Sequence, residues 1–316
     1  MPDRLAELAT DRPAALRFGR RAIDARAGEG REPVGWSQAY EERLASGAVE
    51  GRLYVADGTA AGLVCWSAGG PLGVTVNLLY ATEGPGAATR YARILELAGA
   101  EAGPVAFVCG PLAGLAPEAE DRLMRPFGFQ RYGRSEMLLA PGASLPDAPS
   151  VLGEEVRPAR QDDLGRLAEL HREAYRARFD RYLFLEVEDE REDALRAVAE
   201  ILDGRWGEFL PAGSWIVERA GRPVGAVLSV RSGTGTLIAD VMVVPELQGN
   251  GVGRRALAAA VRSLRDAGEQ RVYLNVTEGN EPALRLYRRF GFVRSLGPTR
   301  DWYNARLIPI APAQGA

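Results

Sequence analysis

The sequence predicts an α/β protein of two tandem domains, each a mixed, mostly antiparallel sheet flanked by helices. Three observations predict it. RLMRPFGFQR (122–131) and RLYRRFGFVR (285–294) agree at Arg, Leu, Arg, Phe, Gly, Phe and Arg, at a spacing of 163 residues. The same spacing holds upstream. RLYVADGTAAGLVCWSA (52–68) and SWIVERAGRPVGAVLSV (214–230) both read as β-hairpins, alternating apolar residues about a Gly-containing turn, with Gly62 opposite Gly225. Finally, GVTVNLLYATEGPGAATRYARILELAGA (73–100) and TLIADVMVVPELQGNGVGRRALAAAVRSLRDAG (236–268) both read as strand, Gly-rich turn and Ala/Leu/Arg-rich helix. Internal repetition of this kind marks a duplicated unit.

Each half is predicted in the order helix, helix, hairpin, strand, loop, helix, strand, helix, strand. The strands after the long helices are PVAFVCG (104–110) and RVYLNVT (271–277), and a short helix then ends in FGF. Mixed order of this type implies a layered α/β domain. APGASLPDAPS (140–150) is rich in Pro, Gly, Ala and Ser and has no periodicity, so it reads as the linker. The expected domains are residues 1–143 and 151–316.

A chain of 316 residues with 46% hydrophobic and 26% charged residues fits an ordinary globular protein of one large or two medium domains. Its apolar runs are too short to span a bilayer, and MPDRLAELAT lacks the pattern of a secretory signal, so the chain reads as cytoplasmic. A net charge of −3 argues against nucleic acid as a partner. One histidine, His171, and two cysteines leave little for a zinc site, so no metal is expected. His171 reads as a helix-surface or pocket-lining residue. Cys65 and Cys109 read as reduced, buried packing residues. All 39 basic residues are arginine. An arginine-biased composition explains this, or a surface that amine-acylating chemistry cannot modify.

DVMVVPELQGNGVGRRAL (240–257) carries the most chemistry. A buried strand ends at Pro245, and a glycine-rich turn opens a helix. Successive N–H groups can then face inward at a helix N-terminus, where the dipole favours an anion such as pyrophosphate. The spacing is neither that of a dinucleotide-binding loop nor, without lysine, that of a P-loop. QGNGVG after this strand, with NEPALRLYRRFGF downstream, resembles the GCN5-related N-acetyltransferase (GNAT) superfamily over about residues 154–308.

The resemblance implies tandem GNAT folds with a splayed central strand pair and acetyl-CoA as acyl donor. It implies that Gln248, Gly249, Asn250, Gly251, Val252, Gly253 and Arg254 bind pyrophosphate. Pantetheine would pair with backbone at Met242, Val243 and Val244. It also implies Tyr287 as the general acid for the leaving sulfur, a role that suits a phenol still protonated at neutral pH. Asn280 would contact the cofactor, or else cap a helix. Asp240 is the candidate base, or else a solvated or paired structural acid. Asn275 is an acceptor-side candidate. Tyr175, Phe179, Tyr182 and Trp206 are candidate acceptor-pocket aromatics, with core packing as the alternative. The acidic run EVEDERED (186–193) reads as a solvated helix face.

At the constant spacing, the first copy places Pro85 opposite Gln248, Asn77 opposite Asp240 and Met124 opposite Tyr287. The first domain is therefore expected to be non-catalytic. The expected activity is direct acetyl transfer to a primary amine, of a small molecule first and of a protein second, by a monomer or homodimer. Tandem arrangement and length also resemble the mycothiol synthases, in architecture and with no matching segment. A CoA-binding regulatory module is the non-enzymatic alternative.

Overall fold

A computed structural model describes residues 3–27, 42–44, 46, 49–68, 72–176, 178–184, 190–233 and 235–310. The chain forms two compact units. One is built on Met1–Gly133 and Gly297–Ala311, the other on Arg134–Leu296. The strands of the first are β1 (Arg4–Glu7), β2 (Gly51–Ala56), β3 (Thr59–Ala68), β4 (Val74–Ala81), β5 (Val105–Val108) and β6 (Phe129–Tyr132). The second contains β7 (Arg134–Leu139), β8 (Glu154–Pro158), β9 (Glu208–Phe209), β10 (Trp215–Arg219) and β11 (Arg222–Ser232). It continues with β12 (Gly235–Val243), β13 (Val272–Thr277) and β14 (Phe292–Leu296). The last strand, β15 (Asp301–Asn304), belongs to the first unit.

The first sheet runs β1-β2-β3-β4-β5-β15-β6, and the second runs β14-β7-β13-β12-β11-β10-β8, with β9 beside β11. The two orders match strand for strand. Among the described residues, only the central pair of each sheet, β4–β5 or β12–β13, is parallel. In each copy a strand that the predicted order omitted, β1 or β8, precedes the first helix.

The expected boundary at 143 to 151 is not where the units divide. RSEMLL of β7, assigned by sequence to the first domain, pairs with β13 and β14 in the second sheet. DWYN of β15, assigned to the second, pairs with β5 and β6 in the first. Alternation along RSEMLL marks an amphipathic strand but does not say which sheet it joins, because pairing is a non-local choice. The presumed linker also belongs to the second unit: Ala140 N–H donates to Gly291 O at 3.0 Å, and Arg265 donates to Ala143 O at 2.6 Å.

Alternation accounts for the remaining strands. β12 buries Thr236, Ile238, Asp240 and Met242 on one set of alternate positions, whereas the central β11 is buried almost throughout. The helix Val252–Asp266 lays Ala256, Leu257, Ala260, Val261 and Leu264 against the second core. Gly225 permits the approach, since a Cβ there would lie 2.5 Å from Val252 Cγ1. Among the described residues neither cysteine forms a disulfide; Cys65 is buried as expected, whereas Cys109 is half-buried. Of the acidic run, 186–189 lie outside the described residues, and Asp193 is not solvated: it is buried and pairs with Arg196 at 2.5 Å. Among the described residues no helix is long and apolar enough to cross a membrane.

A fragment starting at residue 151 lacks β7 and leaves β13 and β14 with open facing edges. It should be insoluble or melt without a cooperative transition by circular dichroism, and adding 134–150 should improve solubility and cooperativity. Equal melting of the two fragments would contradict the assignment of β7.

Candidate functional site

The site begins with a defect in the second sheet. Leu228 of β11 faces Asp240, but the next residue, Ser229, faces Ile238, so Ala239 is an extra residue in β12. Such a bulge bends a strand and re-aims the side chains beside it. The parallel pairing of β12 with β13 covers Thr236, Leu237 and Ile238 and stops there. Beyond the bulge the two strands part, and a cavity of about 610 Å³ lies along the gap. Val244 N–H bonds to Val224 O in β11 at 3.0 Å. Because backbone groups alternate in direction along an antiparallel strand, Val241 and Val243 turn theirs toward the gap. Met242 and Val244 turn theirs toward β11, and their side chains are buried in the core. Of the three backbone positions expected to pair with a ligand, Val243 alone is suitably turned.

The loop after β12 closes one end of the cavity. Gly249 and Gly251 have φ of 81° and 80°, the left-handed region that glycine adopts without strain. Gly251 is the N-cap of the helix Val252–Asp266, whose first intrahelical bond at this end runs from Arg255 N–H to Gly251 O at 3.0 Å. The N–H groups of Val252, Gly253 and Arg254 precede that bond and are the orphan donors of a helix start. Arg254 Nε is buried without a hydrogen-bond partner, and Gly253 and Arg254 line the cavity. From beneath, Arg255 reaches Asn250 O at 3.4 Å and pairs with the buried Glu154 carboxylate at 2.5 Å. This donor set fits a pyrophosphate. Gln248 is turned elsewhere: its amide donates to Val243 O at 3.2 Å and its carbonyl accepts from Arg178 at 2.6 Å.

Asp240 emerges from β12 just past the bulge and lines the cavity. One carboxylate oxygen accepts from the Tyr175 hydroxyl at 2.6 Å; the other lies 3.7 Å from His171 Nε2. Burial raises the Asp240 carboxyl above its ordinary range, opposed by His171, by the Tyr175 hydrogen bond and by Val241 N–H. Burial likewise lowers His171 and raises Tyr175. Tyr287, on the helix Glu281–Arg289, lines the same cavity and is held above the ordinary phenol range by burial, then by Asp240 and Asp180. Asn280 lines the cavity and also caps this helix, accepting from Ala283 N–H at 3.4 Å.

Of the residues expected at the site, Gln248 to Gly251, Gly253, Arg254, Asp240, Val243, Asn275, Asn280, Tyr175 and Tyr287 line the cavity. Phe179, Tyr182 and Trp206 do not. Phe179 is buried, and the Trp206 indole donates to Glu200 at 3.2 Å. Val252 is buried in the core, so its backbone alone can serve the loop. His171, expected on a helix surface or lining a pocket, is 3% exposed behind Asp240 and is not among the cavity-lining residues. Sequence reasoning missed Asp180 and Arg134, both of which line the cavity. His171 and Tyr175 stand one helical turn apart, the spacing of a shared helix face.

The first unit repeats the framework with different side chains. Cys65 faces Leu78 and Trp66 faces Val76, so β4 carries the same bulge, with Asn77 as its extra residue. Asn77 therefore corresponds to Ala239. The counterpart of Asp240 is Leu78, fully buried among Leu53, Leu63 and Phe18. Gly84 and Gly86 have φ of 96° and 79°, and Gly86 caps the helix Ala87–Ala102. Arg90 reaches Pro85 O at 3.1 Å as Arg255 reaches Asn250 O, so Pro85 corresponds to Asn250 and Glu83 to Gln248. Met124, at the Tyr287 position, is fully buried.

Residues 166–292 match the model of the acetyltransferase (GNAT) family. A mycothiol acetyltransferase from Thermobispora bispora is 41% identical over 93 residues, 27% of this chain and 32% of that protein. One from Thermomonospora curvata is 42% identical over 89 residues, 27% of this chain and 29% of that protein. A matching segment therefore exists where none was expected, and it spans about a third of those relatives' length. A GCN5-related N-acetyltransferase from Sphaerobacter thermophilus superposes with a TM-score of 0.58 at 22% identity, covering 100% of this chain and 97% of that one. A tandem GNAT protein from the clavulanic acid biosynthesis pathway gives 0.53 at 14%, covering 95% and 97%.

Gly251→Val places a branched side chain at positive φ, with its Cβ 2.9 Å from Arg255 Nη1. Calorimetry should show coenzyme A binding weakened by about tenfold or more. Unchanged affinity would remove the loop from the anion site.

Proposed function

We propose that this tandem GNAT chain, whose residues 166–292 belong to the acetyltransferase (GNAT) family, transfers acetyl from acetyl-CoA to the primary amine of a small molecule. Transfer is direct, within a ternary complex. One observation carries the reading: a single cavity joins a phosphate-type loop, a buried carboxylate and a buried phenol. The family membership supports it, as does the acetyltransferase activity named in the relatives.

Acetyl-CoA, when bound, supplies an activated thioester. The N–H groups of Val252, Gly253 and Arg254, with the Arg254 guanidinium, would hold its pyrophosphate. Val243 offers a carbonyl and an N–H to an amide chain lying along the gap, once Gln248 releases the carbonyl. Asp240 takes a proton from the acceptor ammonium, and its raised proton affinity suits a base working near neutrality. Tyr287 keeps its proton until the departing sulfur demands it, because burial disfavours the phenolate. We read the first unit as non-catalytic, since Leu78 and Met124 replace the carboxylate and the phenol.

A second reading narrows the acceptor to that of a mycothiol-synthase-like enzyme. It is favoured by the relatives of that name and limited by the third of their length that is matched.

Tyr287→Phe should lower the turnover number by about a hundredfold and leave coenzyme A affinity within about twofold of wild type. The assay follows thiol release and acetylated product over a panel of amines. Full activity in the variant would remove the leaving-group role. Coenzyme A binding without turnover on any amine would favour a regulatory module.

A further inference from the structure

The histidine behind Asp240 has no part in the reaction as described above. His171 is the chain's single histidine, it is 3% exposed, and its Nδ1 is buried without a partner. Its ring lies 4.6 Å from that of Tyr175, between centroids, one turn along the helix Leu164–Tyr175. Both side chains converge on one carboxylate. Tyr175 donates to Asp240 Oδ1, and His171 Nε2 faces Oδ2. A buried polar imidazole normally finds partners for both nitrogens. Here the Asp240 carboxylate is the charged group acting on it.

We propose that His171 and Tyr175 form a two-sided brace on Asp240, in which Tyr175 holds one carboxylate oxygen and the chain's single histidine faces the other, so that the carboxylate is aimed into the cavity and kept ionised until it takes the acceptor's proton. The inference rests on the reading of Asp240 as base. Burial favours the neutral imidazole; with its proton on Nε2, which lies 3.7 Å from Oδ2, the unpartnered Nδ1 is left as the bare nitrogen. When the acceptor's N–H bond breaks, its electron pair stays on nitrogen and its proton passes to Asp240. His171 and Tyr175 keep their own protons and support the anion before transfer. They are positioning residues and need not touch the acceptor amine.

Other titratable groups face this pairing from the neighbouring elements. Asp180, in the segment after the helix, accepts from the Thr277 hydroxyl and disfavours the Asp240 anion. Tyr287 faces from the helix Glu281–Arg289, and Arg134 of β7 acts on Tyr287. On the helix Glu190–Leu202, which packs on this one, Asp193 is engaged by Arg196. Glu169 and Glu173 pair with Arg172 and Arg222.

The test combines two measurements on the full chain. With histidine labelled by ¹⁵N, the protein gives a single imidazole spin system, and its titration is followed in wild type and Asp240→Asn. Loss of the carboxylate should move the imidazole titration to lower pH. An unmoved titration would show that the brace does not exist, whether or not the protein is an acetyltransferase. In parallel, kcat/KM is followed against pH. For His171→Leu and for Tyr175→Phe, the ratio of kcat/KM at pH 8.5 to that at pH 6.5 should rise by about tenfold over wild type. Coenzyme A affinity should stay within about threefold, and His171→Gln should restore part of the wild-type profile. An unchanged acid limb in folded variants would overturn the positioning role. Absence of any acetyl transfer by wild type would instead sink the functional reading and leave the titration result standing.

Discussion

The architecture of the second unit turns on a break in strand pairing. β12 and β13 pair for three residues, and a bulge at Ala239 then ends the ladder. Inside a sheet, backbone groups without a partner are costly, so a gap of this kind persists only if something else satisfies them. Gln248 does so for Val243 O, by reaching back across the loop. A ligand with its own amide groups can take over that carbonyl. The same bulge places Asp240 beside the gap, and β12 runs on into the glycine loop that faces it. Cavity, carboxylate and anion site are consequences of one irregularity in one strand.

The first unit carries the same irregularity with different side chains beside it. It has the bulge, the left-handed glycines and the short helix ending in FGF. Leu78 and Met124 are buried where the second unit has a carboxylate and a phenol. Leu78 lies in an apolar cluster with Phe18 and Tyr80, whose rings stack 5.2 Å apart. A carboxylate in that cluster would lack the hydroxyl and imidazole that support Asp240, and an unsupported buried charge is strongly disfavoured. Leucine at this position avoids the cost. The shared FGF segment says little about activity, because it serves the fold in both copies.

What was legible in the sequence was local. The glycine loop, the alternating strands and the Tyr287 helix each lie within a few consecutive residues, where periodicity and turn chemistry act. The exchange of β7 and β15 was not legible, because RSEMLL would suit the edge of either sheet. Nor was the environment of His171: the turn-spaced His171 and Tyr175 form a visible pattern, but their partner lies 65 residues beyond Tyr175 in sequence. Counting at a constant spacing of 163 also misplaced two correspondences. The bulges set Asn77 against Ala239, and the loops set Pro85 against Asn250. Insertions shift register between copies, and only strand pairing and backbone dihedrals reveal where.

Arginine in place of lysine has a particular meaning at this cavity. Its basic lining comes from Arg134, Arg178, Arg254, Arg285 and Arg289. A guanidinium stays protonated at any physiological pH and offers a planar fork of donors that matches phosphate oxygens. An ammonium could also bind phosphate, but burial lowers its proton affinity and frees a nucleophilic amine. In the proposed reaction such an amine beside a thioester would compete with the acceptor. A wall of arginines therefore supplies positive charge for the donor while leaving the acceptor's amine as the nucleophile that Asp240 can activate.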